Sequence, residues 1–181
     1  MTHTSEIFNI STNSWSYGPE FPEQSSCVVS INETSILWVG EDQCFLFNTR
    51  DETFQEVVCL QNRPRQSHSC ARTADGKVVV VGGYVKGPEG HWTNITLDTE
   101  YFDPITRSWS YGVPMTMGIV RATLVTDGAD LLLLGGSTMG YEPRDTIYRL
   151  RDDQWELLDT KLNTKKMWFP AFPVDASLYN C

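Results

Sequence analysis

The chain has 181 residues, 40% of them hydrophobic and 12% aromatic, enough for one sizeable core or for part of a larger one. Its formal net charge of -9 leaves no basic stripe for a nucleic-acid or anionic membrane surface, so neither is expected as a partner. Nowhere do about 18 apolar residues run together, so membrane insertion is not expected, and residues 1–6 lack the basic and apolar stretches of a secretory signal.

In chain order the expected elements are all strands. Residues 5–10 and 14–17 come first, as an incomplete pair. Four strands follow at 26–30, 35–40, 43–48 and 53–57. Residues 67–73 alternate small and polar side chains before Asp75-Gly76, a hairpin turn signal. Residues 77–83 contain Val78-Val79-Val80-Val81, the continuous β-branched run of a strand buried on both faces. After a long insertion, 99–103 alternates until Pro104 stops it, and 108–111 is a short last strand. The same phrase returns at 121–126, 130–136, 146–150 and 154–158. Residues 167–174 read as another first strand, and 177–181 could barely begin a second. No capped amphipathic segment of ten residues can be drawn as a helix.

These strands repeat. Phe8 precedes Trp15 by seven residues, and the same spacing joins Phe47 to Phe54, Phe102 to Trp109 and Tyr148 to Trp155. Apolar runs end in Gly82-Gly83 and in Gly135-Gly136, with a degenerate Gly40-Glu41 upstream. A period of about 40–50 residues built from four strands signals propeller blades, which bury their faces only by stacking on neighbours. The apolar run is then the doubly buried strand, and its terminal glycines let the backbone turn where a Cβ would not fit. The aromatic pair packs across to the neighbouring blade.

Arg65-x-x-His68, Gly82-Gly83, and Tyr101-Phe102-Asp103-Pro104 with Trp109 together resemble a kelch repeat. The units with Trp109 and Trp155 match best, whereas the first full unit has Gly40-Glu41 and places Phe54 where the family prefers Trp. The resemblance covers 5–175 and implies an all-β, kelch-type β-propeller of four-stranded antiparallel blades. Full blades are expected at about 25–58, 67–112 and 120–159, with partial blades at 5–18 and 166–181. The two ends could join into a fourth, composite blade of a closed ring. The favoured expectation is part of a larger propeller, because a repeat array needs caps and none is visible. Trp15, Gly82, Gly83, Tyr101, Trp109, Gly135, Gly136 and Trp155 are the signature residues expected to act structurally.

The five cysteines, Cys27, Cys44, Cys59, Cys70 and Cys181, show no CxxC spacing, so a zinc site is not expected. Cys44 and Cys59 flank a predicted hairpin and could pair in an oxidising compartment; buried or free thiols are the plainer reading. Sequons at Asn9, Asn32 and Asn94 are too few to fix a compartment.

Antiparallel order places 60–66, 84–98, 114–120 and 137–145 on one face. Loops on a rigid scaffold are where function usually sits. Candidate partner-binding residues there are Arg63, Arg65, Tyr84, His91, Trp92, Tyr141 and Arg144, the guanidinium groups being suited to carboxylates of an acidic partner segment. For any single one of these residues, an ordinary solvated loop side chain is the plainer reading. His68 and Arg121, each 14 residues before a glycine pair, could line a central channel. The galactose oxidase group shares this propeller type, and that resemblance implies copper held by histidines and tyrosines. The three histidines, His3, His68 and His91, have no metal-ligand spacing, and nothing marks a nucleophile or phosphate loop. No cofactor and no catalysis are expected. A protein-interaction module leads, with a carbohydrate-processing or carbohydrate-binding propeller, and a secreted kelch protein with disulfides and N-glycans, as alternatives.

Overall fold

A computed structural model describes residues 4–21, 25–59 and 64–174, with Ser25 and Ser26 described in the backbone alone. Among these residues there is no helix. β1 (Glu6–Asn9) and β2 (Ser14–Tyr17) form a hairpin. The first full blade is β3 (Ser25–Asn32), β4 (Ser35–Gly40), β5 (Cys44–Asn48) and β6 (Thr53–Val57), paired in that order. After β7 (Arg65–Gln66), the second blade comprises β8 (Ser69–Arg72), β9 (Val78–Val81), β12 (Thr99–Asp103) and β13 (Ser108–Tyr111). Between β9 and β12 the chain makes β10 (Tyr84–Lys86) and β11 (Trp92–Ile95). The third blade is β14 (Thr123–Asp127), β15 (Asp130–Leu134), β16 (Ile147–Arg151) and β17 (Gln154–Leu157).

The valine run shows why the blades stack. With a period of two, Val78 and Val80 join Leu37, Val39, Phe102 and Trp109 in a core between the first and second blades. Val79 and Val81 join Leu124, Leu131, Leu133 and Trp155 in a core between the second and third. One strand thus serves two interfaces, each buried valine contributing about 1.5–3 kcal/mol. The tryptophans also tie blades by hydrogen bonds: Trp109 Nε1 donates to the Val58 carbonyl at 2.6 Å, and Trp155 Nε1 to Thr99 Oγ1 at 3.0 Å. Two disulfides add covalent ties. Cys27–Cys70 joins β3 to β8 across the blades, and Cys44–Cys59 closes the first blade's outer hairpin, with Cα separations of 5.9 and 4.9 Å. Cys181 lies outside the described residues.

The seven-residue aromatic spacing has a simple cause. Phe8–Trp15, Phe47–Phe54 and Phe102–Trp109 are directly opposed across hairpins whose turns begin with Asn9, Asn48 and Asp103. Each side-chain oxygen caps the turn by accepting the amide two residues on, at 2.8–2.9 Å. The fourth pair, Tyr148 and Trp155, keeps the spacing but is not opposed across its hairpin. Trp155 faces Leu150, because the β16–β17 turn holds only Asp152 and Asp153, both at positive φ, as a two-residue hairpin turn requires.

Two further expectations are corrected, and of the two arrangements offered for the chain ends the favoured one stands. The segment 84–98, read as a loop, folds into the β10–β11 hairpin and pairs with β7. Residues 167–174 form no strand; instead the Trp168 amide donates to the Arg121 carbonyl at 3.0 Å. The β1–β2 hairpin pairs with no other described strand, so the composite closing blade is not formed among the described residues, and the arrangement is that of a partial propeller. Residues 177–181 lie outside them.

Candidate functional site

The first strands of successive blades, β3, β8 and β14, lie beside one another and therefore mark the propeller axis. The residues that enter β8 and β14 form a hydrogen-bonded rung around it. The Arg121 amide donates to the Ser67 carbonyl at 2.9 Å, and the Arg121 carbonyl accepts from Trp168. Ser67, Arg121 and Trp168 all adopt left-handed backbone, at φ 58, 58 and 56°, an uncommon conformation for residues with a Cβ. The paired glycines make room for this rung. A Cβ on Gly82 would lie 2.2 Å from the Ile119 carbonyl oxygen, and one on Gly136 2.7 Å from that of Val120.

At the rung, Arg121 is enclosed by aromatic rings. Its guanidinium carbon lies 4.3 Å from the ring centre of Tyr141, 5.2 Å from Tyr84 and 5.5 Å from Trp168, within reach of favourable cation–π attraction. Tyr84 forms the buried floor, and burial raises its phenol above the usual tyrosine range, against the opposing pull of Arg121. Tyr141 and Trp168 are 60% and 65% exposed and form the walls. Among the described residues, Arg121 Nε and Nη1 are shielded from solvent and find no acceptor, although buried donors are nearly always satisfied. The cage can therefore stack an incoming planar or apolar group on its rings while the guanidinium edge receives an oxygen acceptor.

Three sequence candidates, Tyr84, Arg121 and Tyr141, thus converge. Sequence reasoning misses Trp168 because it places that residue in a strand; only its position as the third member of the Ser67–Arg121 series identifies it. The expected equivalence of His68 and Arg121 is one residue out. The pairings Ser69–Val81 and Thr123–Leu134 align Arg121 with Ser67 and His68 with Ala122, since the β8–β9 turn is longer than the β14–β15 turn.

Arg65 and His68 are corrected as partner-facing residues. Arg65 is 1% exposed and meets Glu100, 0% exposed, at 2.6 Å. It also donates from Nη1 to the carbonyls of Gly82 and Asp98, both at 3.2 Å, so it fastens the interblade linker to the glycine turn. His68 is buried beside it. Burial first, and the neighbouring guanidinium second, push its imidazole down to about 3, so it stays neutral. His91 is exposed on the β10–β11 hairpin, and the half-buried Trp92 carries Lys86 Nζ 4.7 Å above its ring. Arg144 is half-buried, bridged through its backbone to Lys166. It lines a cleft of about 680 Å³ with Asn94, Ile95, Met117 and Met139. Arg63 lies outside the described residues.

Of the signature residues, Trp109 and Trp155 are buried, whereas Trp15 is 66% exposed. Tyr101 lines a second cleft, of about 440 Å³, between the hairpin turns of the second and third blades. Burial, then Asp153 and Asp75, push its phenol up to about 12. Among the described residues, no three His, Cys, Asp or Glu side chains are grouped as a metal site would need.

Residues 67–116 match the family profile described as "Kelch motif". Of the solved structures that resemble the chain, one described as "Structure of YjhT" is 16% identical, with a TM-score of 0.65 over 87% of this chain and 52% of that one. The chain therefore spans about half the length of that structure, and the likeness is one of fold. No curated protein sequence matches. With three stacked four-stranded blades among the described residues, buried blade-to-blade tryptophans and paired glycines under the linkers, the chain has the fold of a partial kelch-type β-propeller and carries a kelch motif over residues 67–116.

Proposed function

We propose that the chain is a protein-interaction module that docks a protein or peptide segment on its loop face, with an acidic side chain of the partner anchored at Arg121. The observation that carries this reading is the cage itself. A charged donor is presented at the axis on strained backbone, flanked by two exposed aromatic rings, with unsatisfied N–H groups in a molecule otherwise rich in acid. Aromatic and arginine side chains are the residue types that dominate binding energy at interfaces, and strained backbone gathers where function needs it. Kelch propellers are typically scaffolds rather than enzymes, which agrees with this reading.

The test is a random peptide display selected on the wild-type chain and counter-screened on Arg121→Ala. Selected peptides should be rich in Asp or Glu. Their affinity should fall about 10–100-fold in the variant, the range for losing charge-assisted hydrogen bonds of about 1.5–3 kcal/mol. Binders indifferent to both Arg121→Ala and Tyr141→Ala would refute the site.

A second reading concerns compartment, and the two disulfides favour it. Disulfides persist in oxidising surroundings and are rare where glutathione keeps thiols reduced. On this reading the chain matures in the secretory pathway or an equivalent oxidising space. Thiol titration of unreduced protein from its native source, finding Cys27, Cys44, Cys59 and Cys70 unreactive, would support it; four reactive thiols would overturn it.

A further inference from the structure

We infer that Asn94 is an N-glycosylation site, and that its glycan covers the cleft beside β11 on the loop face. The inference rests on the oxidising-compartment reading. Asn94-Ile95-Thr96 is an acceptor sequence, and Asn94 is exposed on β11. β11 is the outermost strand of the β11-β10-β7 sheet, and an uncovered edge strand invites pairing with other chains. Beside it, the cleft shared by Ile95, Met117 and Met139 leaves both methionines partly exposed. A hydrated, bulky glycan at Asn94 shields edge and cleft together.

The chemistry is a substitution. Asn94 Nδ2 attacks the anomeric carbon of an oligosaccharide carried on a polyprenyl diphosphate. The C–N bond forms as the bond to the diphosphate oxygen breaks, the amide gives up one proton, and nothing is oxidised or reduced. Timing follows from the fold. Thr96 Oγ1 is held by Asp98 at 2.6 Å, and the Thr96 amide by the Gly83 carbonyl at 3.0 Å. The hydroxyl that the acceptor sequence requires is thus buried once the hairpin closes, so transfer precedes folding of the second blade.

Asn32 supplies the internal control, because it sits exposed at the β3–β4 hairpin turn, on the opposite face. Native protein is treated with peptide N-glycosidase in heavy-oxygen water, which converts each glycosylated Asn to labelled Asp, and the peptides are weighed. Label at Asn94 is the expected result. Removing the glycan from folded protein should then raise peroxide oxidation of Met117 and Met139 severalfold, while buried Met115 stays unchanged. Label at Asn32 with Asn94 unlabelled would overturn the inference and leave the compartment reading standing. No label at either site, together with free thiols, would overturn both. Label at Asn94 with unchanged methionine oxidation would overturn the shielding role.

Discussion

Trp109→Ala is the perturbation that most tightly probes the stacking of blades. Trp109 is 4% exposed, packs against Phe102 at 5.2 Å between ring centres, and donates Nε1 to the Val58 carbonyl of the preceding blade. Truncation to Ala removes a fully packed indole and leaves a cavity in the core between the first and second blades, which costs about 3–5 kcal/mol. Trp109→Phe keeps much of the ring and loses the donor, at about 1 kcal/mol. Trp15 occupies the same place in the repeat and is mostly exposed, so Trp15→Ala should cost less than about 0.5 kcal/mol. Urea unfolding followed by circular dichroism gives all three values, since midpoints move without a change in slope when only native stability changes. A loss that is largest for Trp109→Ala, smaller for Trp109→Phe and smallest for Trp15→Ala is the signature of an interblade anchor. A loss below about 1 kcal/mol for Trp109→Ala, or equal losses at positions 109 and 15, would refute the assignment of this tryptophan to the interface.

Other outcomes follow from buried charge and covalent ties. Arg65→Ala should destabilise by about 3–5 kcal/mol, because Glu100 is left charged and buried; Arg65→Met with Glu100→Leu should recover most of that, as urea midpoints will show. His68 charges in the unfolded chain below its ordinary 6.5 but stays neutral in the fold down to about 3. The unfolded state therefore binds the extra proton, and stability is full above pH 6.5 and falls as pH drops toward 3. Between about pH 6.5 and 4.5, above the range of the surface carboxylates, the fall should approach roughly 1 kcal/mol per pH unit and be absent in His68→Gln. Reduction should lower thermal stability. Opening the Cys44–Cys59 loop should cost about 3 kcal/mol and the Cys27–Cys70 tie about 4, on loop entropy; Cys27→Ser with Cys70→Ser should show most of the latter by calorimetry without reductant.

Much of the fold was legible because the repeat is written in residues whose physics is local. Valine runs, paired glycines and Asx-capped turns each dictate their own backbone, and three copies confirm one another. What escaped was set by turn length and by partners distant in sequence. The two-residue Asp152-Asp153 turn moved Trp155 from Tyr148 to Leu150, and the longer β8–β9 turn shifted His68 out of line with Arg121. Arg65 looked like a loop cation because Glu100 is 35 positions away in sequence and its burial is a property of the assembled blades. The cage was half legible. Tyr84 and Tyr141 are marked by their face and Arg121 by its spacing before Gly135-Gly136, whereas Trp168 becomes recognisable only through the backbone rung that places it. The Cys44–Cys59 pair was foreseeable from its hairpin, and the Cys27–Cys70 tie was not, since it needs two blades side by side.

The claim that the loop face docks a partner through the Arg121 cage is tested most directly by site-specific photocrosslinking. A benzophenone side chain is placed at Tyr141, on the cage wall, or at Asp75, on the opposite face, and each protein is irradiated in its native surroundings. A discrete adduct from position 141, absent from position 75 and lost when Arg121→Ala is added, is the predicted result. Adducts from position 75 alone, or adducts from 141 that persist without Arg121, would contradict it.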